Sequence, residues 1–128
     1  MANGTWMVAT GGFFGAIGVA TAAAAAHNDA SGLLAPASAM LLAHAPVLIA
    51  LYAARTHISF VSVAALILSL GTIIFTTDLA VNFINRTGLN QTDLLADGLF
   101  PMAAPIGGVL MIAGWLVIIV CAFFPVRQ

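Results

Sequence analysis

The chain has 128 residues, of which 62% are hydrophobic and 5% are charged, and its formal net charge is -1. A soluble domain carries roughly a quarter of its residues as charged side chains, so this composition excludes a soluble globular protein. With three Arg and no Lys, the chain also lacks the basic surface that nucleic-acid binding requires.

Four apolar stretches of about 20 residues, the length of a helix that crosses a bilayer, divide the chain. They predict helices over residues 6–26, 33–54, 58–81 and 100–124. Their length and the lack of polar–apolar alternation favour helices over membrane strands. The sequence therefore predicts one all-α domain over the whole chain: an antiparallel bundle of four transmembrane helices with a long outer loop at 85–98.

An even number of spans puts both termini on one side of the membrane, together with the short connection at 54–57. That side carries Arg55 and Arg127, whereas the other side carries Arg86 beside several acidic residues. The positive-inside rule then predicts that both termini are cytoplasmic.

Small residues dominate the first predicted helix. Gly11 and Gly15 lie four residues apart on one stripe, and a second stripe beside it comprises Gly12, Ala16, Ala20 and Ala24. Lipid is as apolar as leucine, so close packing at small residues must help to hold membrane helices together. We expect this helix to lie in the bundle interior. Since no Lys or Arg precedes its apolar run, we interpret it as a helix and not as a secretory signal.

The second predicted helix carries an imidazole and a proline in LLAHAPVLIA (41–50). His44 lies roughly 16 Å below the outer surface at 1.5 Å per residue, and an ionisable group at mid-membrane points to function. Pro46 removes the hydrogen bond to the Leu42 carbonyl and leaves an acceptor nearby. Two roles remain open for His44: a hydrogen bond to a neighbouring helix, or the binding of a ligand, proton or cofactor.

Asp78 falls near the outer end of the third predicted helix, at the level of His27, and Asn82 follows one turn later. These residues predict a polar cluster at the outer surface, where Asp78 could pair with His27 or Arg86. The alternative is an ordinary carboxylate at the water boundary. His27 and His44 differ in depth by on the order of 15 Å, and His57 lies on the opposite side, so we expect no metal site.

The fourth predicted helix offers glycines for packing, at Gly107, Gly108 and Gly114. Trp115 lies deep and needs either a partner for its indole N–H or a lipid-facing position, whereas Trp6 fits an interfacial anchor. No nucleotide-binding loop and no Ser/His/Asp arrangement of compatible depth is present. We therefore expect no catalytic residues and no enzymatic activity.

Four stretches together resemble a known family: GGFFGAIGVATAAAAAH (11–27), LLAHAPVLIAL (41–51), GTIIFTTDLA (71–80) and APIGGVLMIAGWLVI (104–118). Their order and spacing are similar to the bacterial "domain of unknown function 423" family of small four-helix membrane proteins. The chain departs from that pattern at Ala25, Pro46 and Asp78. The resemblance implies an integral protein of the bacterial inner membrane and no particular reaction. The positions it marks are His27, His44, Gly107, Gly108, Gly114 and Trp115.

Two hypotheses of function follow. The first is a non-enzymatic accessory or structural subunit, which packs in the bilayer against a larger membrane protein complex or against further copies of itself. It rests on the scarcity of titratable groups, the smooth Gly/Ala helix and the short loops, and it needs no cofactor. The alternative is a small carrier or binder of a proton or of an apolar molecule, such as a lipid, quinone or pigment, centred on His44.

Overall fold

The computed structural model describes residues 4–29, 31–87 and 102–126. Within these ranges the chain forms four helices: α1 (Thr5–Asn28), α2 (Leu34–Ala54), α3 (Val61–Arg86) and α4 (Ala103–Cys121). All four are long and apolar enough to cross a membrane. The predicted all-α fold with four membrane-spanning helices is confirmed.

The largest boundary difference is at the end of α3, which continues to Arg86 instead of ending at 81. Hydropathy marks the thickness of the hydrocarbon layer, and a helix can extend past it because polar side chains are solvated in the headgroup region. The predicted outer loop lies outside the described residues from 88 onwards, as does the predicted start of the fourth helix at residues 100 and 101.

Consecutive helices run antiparallel in a row: α1 packs on α2, α2 on α3, and α3 on α4. In the described part of the chain, α1 touches α3 only lightly and forms no interface with α4. Only 22% of the most apolar stretch of α1 is buried, compared with 44% for α2. The expectation that the first helix lies in the bundle interior is therefore wrong, because α2 and α3 are the inner helices.

One face of α1 packs against α2 and the other is open. The packed face carries Met7, Gly11, Phe14 and Gly18, all of them buried and spaced at the helical period. The second small-residue stripe (Gly12, Ala16, Ala20 and Ala24) is exposed. Small residues permit a neighbour to approach but do not require one, so the composition of this helix could not determine how many neighbours it has.

At one end of the bundle, the α2–α3 connection pairs with the segment that follows α4. The Ser59 N–H donates to the Phe124 carbonyl at 2.9 Å, and the Val126 N–H donates to the His57 carbonyl at 2.9 Å. These backbone bonds satisfy groups that a membrane-level loop could not leave unpaired. They tie the last described residues to the connection between the two inner helices.

The start of α1 lies at the same end. A Cβ built on Gly4 would be 3.3 Å from Cδ of Arg55, whose guanidinium lies 3.7 Å from the centre of the Tyr52 ring. The Arg55 guanidinium also donates to the Tyr52 carbonyl at 2.8 Å. Both ends of the described chain therefore share one side with Arg55, while Arg86 lies at the other end of α3, about 38 Å away along its axis.

Four buried hydroxyl groups lie on the inner helices, α2 and α3. Each donates to a backbone carbonyl three or four residues earlier in its own helix, and they belong to Ser38, Ser69, Thr72 and Thr76. These bonds satisfy the hydroxyl protons without linking one helix to another. Helix association in this bundle therefore depends mainly on close packing.

Candidate functional site

His44 lies at the middle of α2, about 15 Å from either end of the helix, and is only 5% exposed. Its Nδ1 is 2.8 Å from the carbonyl oxygen of Met40. A carbonyl oxygen only accepts, so Nδ1 carries the proton and donates it. In the neutral ring Nε2 is then a bare acceptor, and this atom is buried with no hydrogen-bond partner among the described residues.

The hydrogen bond of His44 stays within α2 and does not reach a neighbouring helix or the Leu42 carbonyl. Met40 lies one turn before His44, directly beneath a side chain that points back towards the helix N-terminus. Leu42, two residues away, is turned by about 200° around the axis. Nδ1 therefore does not make the hydrogen bond to a neighbouring helix that the sequence left open, and the Leu42 carbonyl near Pro46 is not its acceptor.

Trp115 of α4 lies beside His44, with 6.2 Å between the ring centroids and 57° between the ring planes. Trp115 is 45% exposed, so one part of the indole lies at the outer surface of the bundle while another part lies beside the imidazole. Apart from this approach, α2 and α4 make little contact in the described ranges, since α3 lies between them. The pairing could not be expected from the sequence, although both residues fall in the middle third of their helices.

The predicted outer cluster is only partly assembled. The Asn82 side-chain amide donates to the Asp78 carboxylate at 3.2 Å and to the Asp78 backbone carbonyl at 2.9 Å, because the two residues are one turn apart on α3. His27 is exposed at the end of α1. In the part of the chain that the structure describes, neither His27 nor Arg86 bonds to Asp78, so the site is a local pair on α3 and not a three-residue pocket.

The tightest helix crossing is between α3 and α4. A Cβ built on Gly107 would lie 2.6 Å from the Phe75 nitrogen and 2.8 Å from the Gly71 carbonyl oxygen. At Gly114 the same construction meets the Leu68 side chain at 2.6 Å. Gly107 therefore allows backbone-to-backbone contact, whereas Gly114 makes room chiefly for the buried Leu68 side chain, with the Leu68 nitrogen at 3.2 Å. Gly71, the first residue of the stretch GTIIFTTDLA, faces Gly107 across this crossing and was not among the predicted packing glycines.

Other predicted packing glycines differ in their surroundings. A Cβ on Gly11 would lie 2.8 Å from the Ala45 carbonyl oxygen, so this residue lets α1 approach the α2 backbone. Gly15 has only the Ala45 Cβ nearby, at an ordinary 3.9 Å, and no atom lies within 4 Å of the Gly108 position in the described structure. Gly108 therefore does not pack against the described helices, because one residue turns the helix by about 100° away from Gly107.

Asp29 stabilises the start of α2 from outside the helix. Its carboxylate accepts hydrogen bonds from the N–H groups of Leu33 and Ala35, both at 2.9 Å, and from the Ser31 hydroxyl at 3.2 Å. Partial desolvation raises the pKa of Asp29, but these hydrogen bonds and the contribution of the Leu34 N–H outweigh it and lower the pKa. A negative charge at a helix N-terminus is further favoured by the helix dipole.

A half-open apolar groove runs between α1 and α3, with α2 as its floor. Its volume is about 270 Å³, and Phe14, Leu41 and Ile73 each contribute from a different helix. It exists because α1 and α3 both pack on α2 but scarcely touch each other. Two of its three wall hydroxyls, those of Thr21 and Thr76, donate within their own helices, and most of the other lining side chains are apolar, so the groove is chemically suited to hydrocarbon.

The described residues contain no group of three or more His, Cys, Asp or Glu side chains that could hold a metal ion. Comparison with family models, with curated proteins and with solved structures found no match to the chain. The resemblance to the "domain of unknown function 423" family stays a prediction from the four sequence stretches.

Proposed function

We propose that this integral membrane protein is a non-enzymatic accessory subunit whose α1 helix packs against the helices of a larger membrane protein complex. The observation that carries the proposal is the exposed small-residue stripe, Gly12, Ala16, Ala20 and Ala24. In lipid, stripes of this kind are typical of helix–helix interfaces, because they let two backbones approach closely.

The buried face of α1 supports this interpretation. There Gly11 lies against the Ala45 carbonyl of α2, so the same helix already uses small residues for close packing. The outer stripe consists only of Gly and Ala and is exposed in the described structure. A partner helix there would recover van der Waals contacts that disordered lipid chains supply less well.

Extraction in a membrane-derived nanodisc, followed by sizing and mass spectrometry, tests the proposal. We expect the chain to co-purify with one or more other membrane proteins. Ala16→Leu should reduce that association because it adds bulk in the middle of the stripe. Ala50→Leu is the matched control, since it adds the same bulk at an exposed position of α2. Recovery of a lone monomer, or equal association of both variants, would contradict the proposal; recovery of only this chain would favour self-association.

We also propose a bacterial inner-membrane location with both termini in the cytoplasm. The support is the resemblance to a bacterial family and the Arg count, with Arg55 and Arg127 on one side and Arg86 on the other. Thiol labelling of intact cells tests it, with Cys121→Ser as the background. An impermeant reagent should label Thr87→Cys and not Thr56→Cys, and the reverse pattern would overturn the orientation.

A further inference from the structure

We propose that Nε2 of His44 accepts a hydrogen bond from the hydroxyl of an apolar, membrane-dissolved molecule, which reaches it from the lipid past Trp115. This inference is independent of the accessory role and would survive its failure. Its starting point is the buried Nε2 atom, which has no partner in the described part of the chain.

Among the described residues, no buried hydroxyl is available to donate to Nε2, and the indole N–H of Trp115 makes no hydrogen bond to it. The buried hydroxyls of Ser38, Ser69, Thr72 and Thr76 are all committed to carbonyls of their own helices. A lone water would need two to four polar partners of its own, and it would be held near the centre of an apolar span. A buried acceptor without a donor has lost its solvation, so a donor from the membrane phase would restore it.

The tautomer determines the class of ligand. Because Nδ1 donates to the Met40 carbonyl, Nε2 of the neutral ring can only accept. A quinone or a simple ketone has only acceptors and cannot make this bond, whereas a phenol, a quinol or a long-chain alcohol can. The mid-membrane depth of His44 also excludes charged ligands, which would have to leave water.

Trp115 is the feature that could admit such a molecule. The centre of the indole ring lies 6.2 Å from the centre of the His44 imidazole, and Trp115 is 45% exposed at the outer surface of the bundle. Rotation of one side chain would therefore open a route from the hydrocarbon to Nε2 without moving a helix. The indole would then lie against the bound molecule, which makes it a reporter of binding.

The test uses 4-hexylphenol and its methyl ether, 4-hexylanisole, as probes of the full chain in lipid nanodiscs. The two molecules differ in the hydroxyl donor and are otherwise similar in shape. The Trp6→Phe variant leaves Trp115 as the only fluorophore of its kind, and replacement of the exposed His27 and His57 by Gln leaves His44 as the only imidazole for nitrogen NMR.

We expect the phenol to change Trp115 fluorescence saturably, to bind about tenfold more tightly than the anisole, and to shift the Nε2 resonance in the direction of hydrogen bonding. His44→Phe should reduce the affinity for the phenol to that for the anisole. If this variant does not fold, the comparison of the two probes on the chain that retains His44 still tests the proposal. Equal binding of both probes would overturn the proposal. So would an Nε2 resonance that is already hydrogen-bonded without a probe, because the Trp115 indole N–H would then be its donor.

Discussion

Gly107→Ala tests whether the bundle depends on backbone contact between α3 and α4. The added Cβ would lie 2.6 Å from the Phe75 nitrogen and 2.9 Å from its Cα, whereas ordinary contacts begin at 3.4 Å. These atoms belong to a helix backbone and cannot rotate away, so α3 and α4 would have to separate by roughly 0.8 Å at this crossing.

The expected cost follows from that separation. Overpacking of a tight contact destabilises a protein by about 1–3 kcal/mol. Alanine also has a higher helix propensity than glycine, by up to about 1 kcal/mol, and this gain partly offsets the cost of overpacking. Gly108→Ala is the matched control, because it gains the same helix propensity one residue away with no described atom within 4 Å. The difference between the two variants should therefore be about 1–3 kcal/mol.

The measurement is the free energy of unfolding in mixed micelles, titrated with a denaturing detergent and followed by circular dichroism. Gly107→Ala should unfold at a lower concentration of denaturing detergent than the unmodified chain. Gly108→Ala should unfold at the same concentration as the unmodified chain or at a higher one. Equal stability of the two variants would refute the reasoning, since it would mean that the helices do not meet at Gly107.

Three further predictions use the same assay. Gly11→Ala should be less stable than Gly12→Ala by about 1–2 kcal/mol, because only the first adds an atom against a backbone oxygen of α2. Phe60→Gly should raise stability by about 1 kcal/mol, since Phe60 has a φ of 64° and is 68% exposed, and a lower free energy of unfolding would contradict this. Asp29→Asn should be destabilising at pH 7. Because the folded-state pKa of Asp29 is lowered, its carboxylate stabilises the fold fully above the ordinary value of 3.8, and that contribution is lost as the pH falls through the lowered pKa. The difference from the unmodified chain should therefore narrow below pH 3.8, and a pH-independent difference would count against it.

Hydropathy was sufficient for the number of spans and for their approximate positions, because each helix must cross the same thickness of hydrocarbon. It could not mark the end of α3 at Arg86, since the last turns of that helix lie beyond the apolar stretch and are held by backbone bonds and by the Asp78–Asn82 pair. Small-residue spacing identified Gly11, Gly107 and Gly114 as candidates. It did not distinguish them from Gly108, because a glycine packs only if its face meets another helix.

The apolar composition alone determined that this chain forms four helices in a bilayer. Apolar segments of this length need a hydrocarbon environment, and within it a helix satisfies the backbone hydrogen bonds of each segment. Only the tertiary structure decided that α1 lies at one edge of the row and that Trp115 lies against His44. It also decided that Nδ1 of His44 bonds to Met40 and leaves Nε2 bare. The physical reason is that span formation depends on each segment separately, whereas neighbours and hydrogen-bond partners depend on how the helices are rotated against one another.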